Sequence, residues 1–283
     1  MRTQSDRNRP RRMGALLLIA GAMTLPLAAQ TAREALGAAD VEPLLNEPPA
    51  KIVVDPPLAE PLTYGRAIIQ YRPLNLHIVP VFGATALAVS PRVGHVHVNV
   101  DDLPWGWAYA TGEPVILNGL APGPHKVLIE LVNSNHQTLD AGTVRFTVPE
   151  TARAAANATQ AEVAATASET SEPPAKIILA PPLPDPLSRG VVYIPYRTEN
   201  LHIAPVFGAA ALPVSPRVGH IHVTVDDATW HWADASGVPV IIQGLAPGPH
   251  KILIQLVNAN HYPIDQTTVQ VTVPAVHAQV EPR

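Results

Sequence analysis

The 283-residue chain contains no cysteine. Disulfides, thiolate metal sites and thiol catalysis are therefore excluded, and any fold must be held by its hydrophobic core. Charged residues make up only 15% and aromatics 5%, and no basic cluster stands apart from the N-terminus. Nucleic-acid binding and docking on an anionic membrane surface both need such a cluster. Several catalytic signatures are missing as well: a helical H-E-x-x-H, a G-x-S-x-G elbow and a Gly-rich phosphate loop. Acidic pairs occur as Asp101-Asp102 and Asp226-Asp227. Neighbours on a strand point to opposite faces, so neither pair forms an acid/base couple on one surface. None of these patterns indicates an enzyme.

Proline is abundant at 32 residues. Many prolines with few long apolar runs suit short strands joined by tight turns. The N-terminus is different. Arg2, Arg7, Arg9, Arg11 and Arg12 precede an apolar run from Met13 to Ala28, and small residues follow. Residues 1–29 read as a signal peptide, which places the mature chain in the periplasm or outside the cell. The run is short for a membrane span of roughly 20 residues. Without this leader, 14 basic and 22 acidic residues remain, a net charge of −8.

Residues 30–47 read as a spacer. Residues 48–149 and 173–274 then align without a gap at an offset of 125. Pro48-Pro49-Ala50-Lys51-Ile52 recurs as Pro173-Pro174-Ala175-Lys176-Ile177, and Gly119-Leu120-Ala121-Pro122-Gly123-Pro124-His125-Lys126 recurs from Gly244 to Lys251. Each unit of about 100 residues has the size of a domain. Residues 150–172, rich in Ala, Thr and Glu, read as a linker, and 275–283 as a tail. Each unit contains six or seven short alternating segments, bounded by Pro, Gly, Asn and Asp. The reading is all-β: two tandem immunoglobulin-like antiparallel β-sandwich domains.

One strand carries the most chemistry. In Gly94-His95-Val96-His97-Val98-Asn99-Val100-Asp101 the valines occupy one face and His95, His97, Asn99 and Asp101 the other, which is expected to face outward. His-x-His on a strand can converge on one ion, and Asp101 could complete a copper or zinc site. His220, His222 and Asp226 repeat the pattern. A solvated polar strand face would look the same. A second surface is suggested by Trp105 and Trp107, repeated as Trp230 and Trp232, with His231 between the latter pair where Gly106 stands in the first unit. Together with His136 and His261 in Asn-rich loops, these could line a ligand-binding wall, provided that the indoles are not core residues. His125 and His250 follow Pro-Gly-Pro and read as corner residues.

The runs Val89-Ser90-Pro91-Arg92-Val93-Gly94-His95-Val96-His97-Val98, Asp101-Asp102, Trp105-x-Trp107-Ala108 and Gly119-Leu120-x-Pro122-Gly123-Pro124-His125-Lys126 resemble an uncharacterised family of small secreted bacterial domains, a domain of unknown function. The resemblance spans both units and implies export and a β-sandwich; it carries over no site residue. His-x-His with an acid and Pro-Gly-x-His is also similar to cupins, but Asp101 stands for Glu and Pro122-Gly123-Pro124-His125 is one residue short. The expected function is an exported, non-enzymatic binding or interaction module with an envelope or extracellular ligand. The alternative is a periplasmic copper- or zinc-binding protein using the His-x-His strands.

Overall fold

A computed structural model describes residues 48–152 and 173–275, apart from residues 84, 91, 214 and 216. The segments read as signal peptide and spacer, nearly all of the segment read as linker, and residues 276–283 of the tail lie outside the described residues.

Each repeat forms nine strands, at positions that keep the 125-residue offset. In the first repeat they are β1 (Lys51–Val54), β2 (Arg66–Ile69), β3 (Tyr71–Leu74), β4 (His77–Ile78), β5 (Val93–Val100), β6 (Gly106–Tyr109), β7 (Val115–Asn118), β8 (Gly123–Asn133) and β9 (Thr138–Val148). In the second they are β10 (Lys176–Leu179), β11 (Val191–Ile194), β12 (Tyr196–Glu199), β13 (His202–Ile203), β14 (Val218–Val225), β15 (His231–Asp234), β16 (Val240–Gln243), β17 (Gly248–Asn258) and β18 (Pro263–Val273). Pairing is antiparallel except where β4 meets β5 and β13 meets β14. The all-β expectation holds. Among the described residues no helix is long and apolar enough to cross a membrane.

What the sequence did not disclose is that the repeats exchange strands. One seven-stranded sheet runs β11-β16-β6-β5-β8-β9, with β4 beside β5; the other runs β18-β17-β14-β15-β7-β2, with β13 beside β14. Thus β2 and β7 leave the first repeat to extend the second repeat's sheet, and β11 and β16 make the reciprocal crossing. The joins are β6 on β16, with Trp107 opposite Ile242, and β15 on β7, with Trp232 opposite Leu117. Two short ribbons, β1-β3 and β10-β12, complete the structure.

Alternation explains the core. Val96, Val98 and Val100 of β5 pack with Val127, Ile129 and Leu131 of β8, and their counterparts Ile221, Val223, Val225, Ile252, Ile254 and Leu256 do the same; all belong to one continuous cluster drawn from both repeats. Trp107 stacks on Trp232 across the repeats, ring centroids 4.6 Å apart, and Trp105 stacks on Trp230 at 5.8 Å. Trp107 and Trp232 lie in β6 and β15, Trp105 and Trp230 just before them, and the four indoles join the two repeats.

Glycine marks the crossings. Gly119 ends β7 with φ +77°, and a Cβ there would lie 2.6 Å from the Thr229 carbonyl oxygen of the other repeat. Gly244 ends β16 with φ +80°, and its Cβ would lie 2.4 Å from the Pro104 carbonyl oxygen. Only glycine accommodates both the left-handed backbone and the approach of the second chain segment.

Candidate metal centres

The histidine face of β5 is buried, not outward-facing. His95 is 0% and His97 7% exposed, and His220 and His222 are 0% and 4%. Phe82 covers His95 with ring centroids 4.8 Å apart, and Phe207 covers His220 at 4.9 Å. The exchanged strand β16 closes the flank, as Gln243 Nε2 lies 2.7 Å from His97 Nδ1. Phe82 and Phe207 come from loops of the same repeat and Gln243 from the other repeat, and strand alternation signals none of them, which is why it suggested solvent.

The third member of the group is His136, from the turn joining β8 to β9. The side-chain oxygen of Asn133 accepts hydrogen bonds from the backbone N–H of Asn135 and of Gln137, both at 3.0 Å. The Asn133 carbonyl accepts the His136 N–H at 2.9 Å. His136 is thereby held at φ +62°, a left-handed conformation that aims its ring back over the strand. Asn258 arranges the turn of His261, φ +63°, in the same way.

The result is a triangle of ring nitrogens in each repeat. His95 Nε2 lies 3.1 Å from His97 Nε2 and 3.3 Å from His136 Nδ1, and His97 Nε2 lies 3.0 Å from His136 Nδ1. In the second repeat the separations are 3.1 Å for His220–His222, 3.1 Å for His220–His261 and 2.9 Å for His222–His261. No carboxylate belongs to either triangle.

Asp101 and Asp226, expected to supply a third ligand, point elsewhere. Both have left-handed backbones, at φ +53° and +50°, and form tight turns with Asp102 and Asp227, closed by the Leu103 N–H on the Val100 carbonyl and the Ala228 N–H on the Val225 carbonyl, both at 3.0 Å. The strand ends at Val100, so the alternation that would have kept Asp101 on the histidine face ends with it. Asp101 instead accepts from the Lys126 N–H and contacts His125 Nδ1, both at 2.8 Å. His125 Nε2 lies 2.7 Å from the Ala121 carbonyl oxygen. His125 is thus a corner residue, as is His250 between Asp226 and Ala246. The tryptophan wall is not assembled either: Trp107 and Trp232 are buried at 2% and 1% exposure, and the half-buried Trp105 and Trp230 are stacked on each other. His136 and His261 belong to the triangles, and His231 lies beside the second one.

Burial sets the protonation. It pushes His95 down to about 2, with His97 and His136 adding to the effect, and His97 down to about 4. His136 is lowered by burial too. In the second group burial, with the Arg66 charge next, takes His220 to about 3 and His261 to about 2, and His222 is driven well below its usual value. All six imidazoles are neutral at pH 7. A neutral imidazole has one N–H and one lone pair. With three ring nitrogens about 3 Å apart, one ring's N–H can serve the other two only in part, and burial opposes adding a proton. A cation relieves the shortfall.

The two surroundings differ, once within the repeat, at Gly106 and His231, and otherwise through strands that cross the repeat boundary. In the first, Gly106 leaves open the place next to His97, and Gln243 reaches across it. In the second, His231 fills that place, its ring 4.3 Å from that of His222. Asn118, the counterpart of Gln243, pairs with His231 in register and accepts from Arg66 Nε at 2.7 Å. Arg66 replaces the role of Val191. Gln243, Asn118, Arg66, Phe82 and Phe207 were not foreseen. The first three reach the centres only through exchanged strands, and no spacing within one repeat signals them.

Comparison with solved structures gives weak overlaps. The fibronectin(III)-like modules of Clostridium thermocellum CbhA match at 11% identity over 82% of this chain and 97% of that one, TM-score 0.23. The central fibronectin-III array of RIM-binding protein matches at 12% identity over 84% and 73%, TM-score 0.22. No curated protein matches. The family described as "Family of unknown function (DUF6130)" matches twice, over residues 11–159 and 150–281, so the chain belongs to DUF6130 in two tandem copies.

Proposed function

We propose that this protein is an exported metal-binding protein that holds two transition-metal ions, copper or zinc, one on His95, His97 and His136 and one on His220, His222 and His261. The observation that carries this reading is the convergence of three neutral, mostly buried ring nitrogens at 2.9–3.3 Å, twice in one chain. With metal–nitrogen bonds of about 2.0–2.1 Å, such edges correspond to angles of roughly 90–110° at the ion. A set of imidazoles alone suits zinc, copper, iron or nickel and not calcium or magnesium. Three protein ligands leave a further position for water or an exogenous ligand. His97 bound through Nε2 carries its proton on Nδ1, which then donates to the Gln243 side-chain oxygen with the amide turned accordingly. The basic, then apolar, N-terminal run supports export.

A general ligand-binding module is less well supported, because its aromatic surface is spent on joining the repeats. The test is metal content and Zn²⁺ or Cu²⁺ titration of the mature chain. Two ions per chain are expected, one for His97→Ala and none for His97→Ala with His222→Ala. A protein with no affinity tighter than about 100 μM, or with unchanged stoichiometry in the double variant, contradicts the proposal.

A further inference from the structure

The second centre has features that a three-histidine site does not need. Arg66 is half-buried, and among the described residues it pairs with no carboxylate; its one hydrogen bond goes to Asn118. Its charge acts on His220, His222, His231 and His261 together. A cation placed against four imidazoles and, in prospect, a metal ion is electrostatically unfavourable unless something negative lies among them. Among the described residues three buried polar atoms at this centre have no partner: His220 Nδ1, whose counterpart His95 Nδ1 is likewise without one in the first centre, and two that the first centre does not share, Asn118 Nδ2 and His231 Nε2. Asn118 is 9% exposed. In register, His231, Asn118 and Arg66 follow one another across β15, β7 and β2, forming a polar row beside His222. The same row in the first centre reads Gly106, Gln243 and Val191, with no charge.

We propose that the second centre, and not the first, binds a small oxyanion of the carboxylate or bicarbonate class at the open metal position, with Arg66 as its counter-charge and Asn118 and His231 as its hydrogen-bonding partners. This rests on metal binding by His220, His222 and His261. The anion neutralises the arginine and the ion at once, and it gives Asn118 Nδ2 and His231 Nε2 a partner. The duplication thus produced two metal sites of different ligand chemistry. The difference is supplied partly by the second repeat's own His231 and partly by Asn118 and Arg66 of the first repeat's β7 and β2.

The test uses the mature chain loaded with Co²⁺, whose visible spectrum responds to a change of ligand. His97→Ala leaves only the second centre loaded, and His222→Ala only the first. Titration with bicarbonate is expected to give affinity at least about tenfold higher in the chain retaining the second centre, the size of effect that one charge-assisted hydrogen bond can supply. Adding Arg66→Gln to His97→Ala is expected to remove that advantage while one Co²⁺ per chain is still bound, and Arg66→Lys to restore part of it. Equal affinities at the two centres, or an unchanged response in Arg66→Gln with cobalt retained, overturns the anion site and leaves the metal reading intact. Failure of a His97→Ala chain that is folded by circular dichroism to take up cobalt removes the second metal centre and the anion site with it, whereas failure of folded His222→Ala removes only the first metal centre.

Discussion

Replacing Trp232 with Ala tests the strand exchange on which both centres depend. Trp232 is 1% exposed, stacks on Trp107 at 4.6 Å and 13°, and lies opposite Leu117 of the other repeat. Truncating a buried tryptophan costs about 3–5 kcal/mol. Losing a stacked aromatic pair adds about 0.5–1.5 kcal/mol. The Trp232 N–H has no partner among the described residues, so no hydrogen bond to them is forfeited. The total is about 3.5–6.5 kcal/mol, which for a chain of this size lowers Tm on the order of 10–20 °C. Because the core is one cluster and each sheet contains both repeats, the loss should appear in a single cooperative transition. The assay is calorimetry alongside urea unfolding, each followed by far-UV circular dichroism and by fluorescence of the remaining tryptophans. Two transitions, the upper one at the wild-type midpoint, would mean that the first repeat folds without the second, and the exchanged sheets would be wrong.

Two further outcomes follow from the same structure. Residues 48–149 expressed alone leave the edge of β6 unpaired and β2 and β7 without a sheet, so this fragment should form a dimer in which two copies exchange strands; a folded monomer by light scattering would contradict this. The metal-free protein should lose stability as pH falls. His95, His97, His220, His222, His231 and His261 all have folded pKa values below the unfolded value of about 6.5, so the unfolded chain binds more protons in acid. Their contribution is full above about pH 7 and is lost as pH falls from there toward the folded values, each histidine giving up at most about 1.4 kcal/mol per pH unit. Asp234, raised by burial, works in the opposite sense: its contribution is full below the unfolded carboxyl value and is lost as pH rises through the folded one. A urea midpoint that does not drop between pH 7.5 and pH 5 would contradict the neutral, buried state of the histidines.

The sequence by itself determined the class and the repeat. Alternation in Val93–Val100 placed the valines in the core, and positive-φ and turn residues such as Asn133, Gly119 and Asp101-Asp102 marked where strands stop, because these are local constraints on the backbone. It also put His95 and His97 on one face. Tertiary structure decided what that face meets. The left-handed turn at Asp101 removed the expected carboxylate. The Asn133 and Asn258 turns brought in His136 and His261, 39 residues beyond His97 and His222. The crossing of β2, β7, β11 and β16 buried the histidines and set Gln243 beside one centre and Arg66 beside the other. Strand exchange depends on which of two nearly identical edges a segment joins. A repeat that is similar to its neighbour encodes both choices equally, so that information exists only in the assembled sheets.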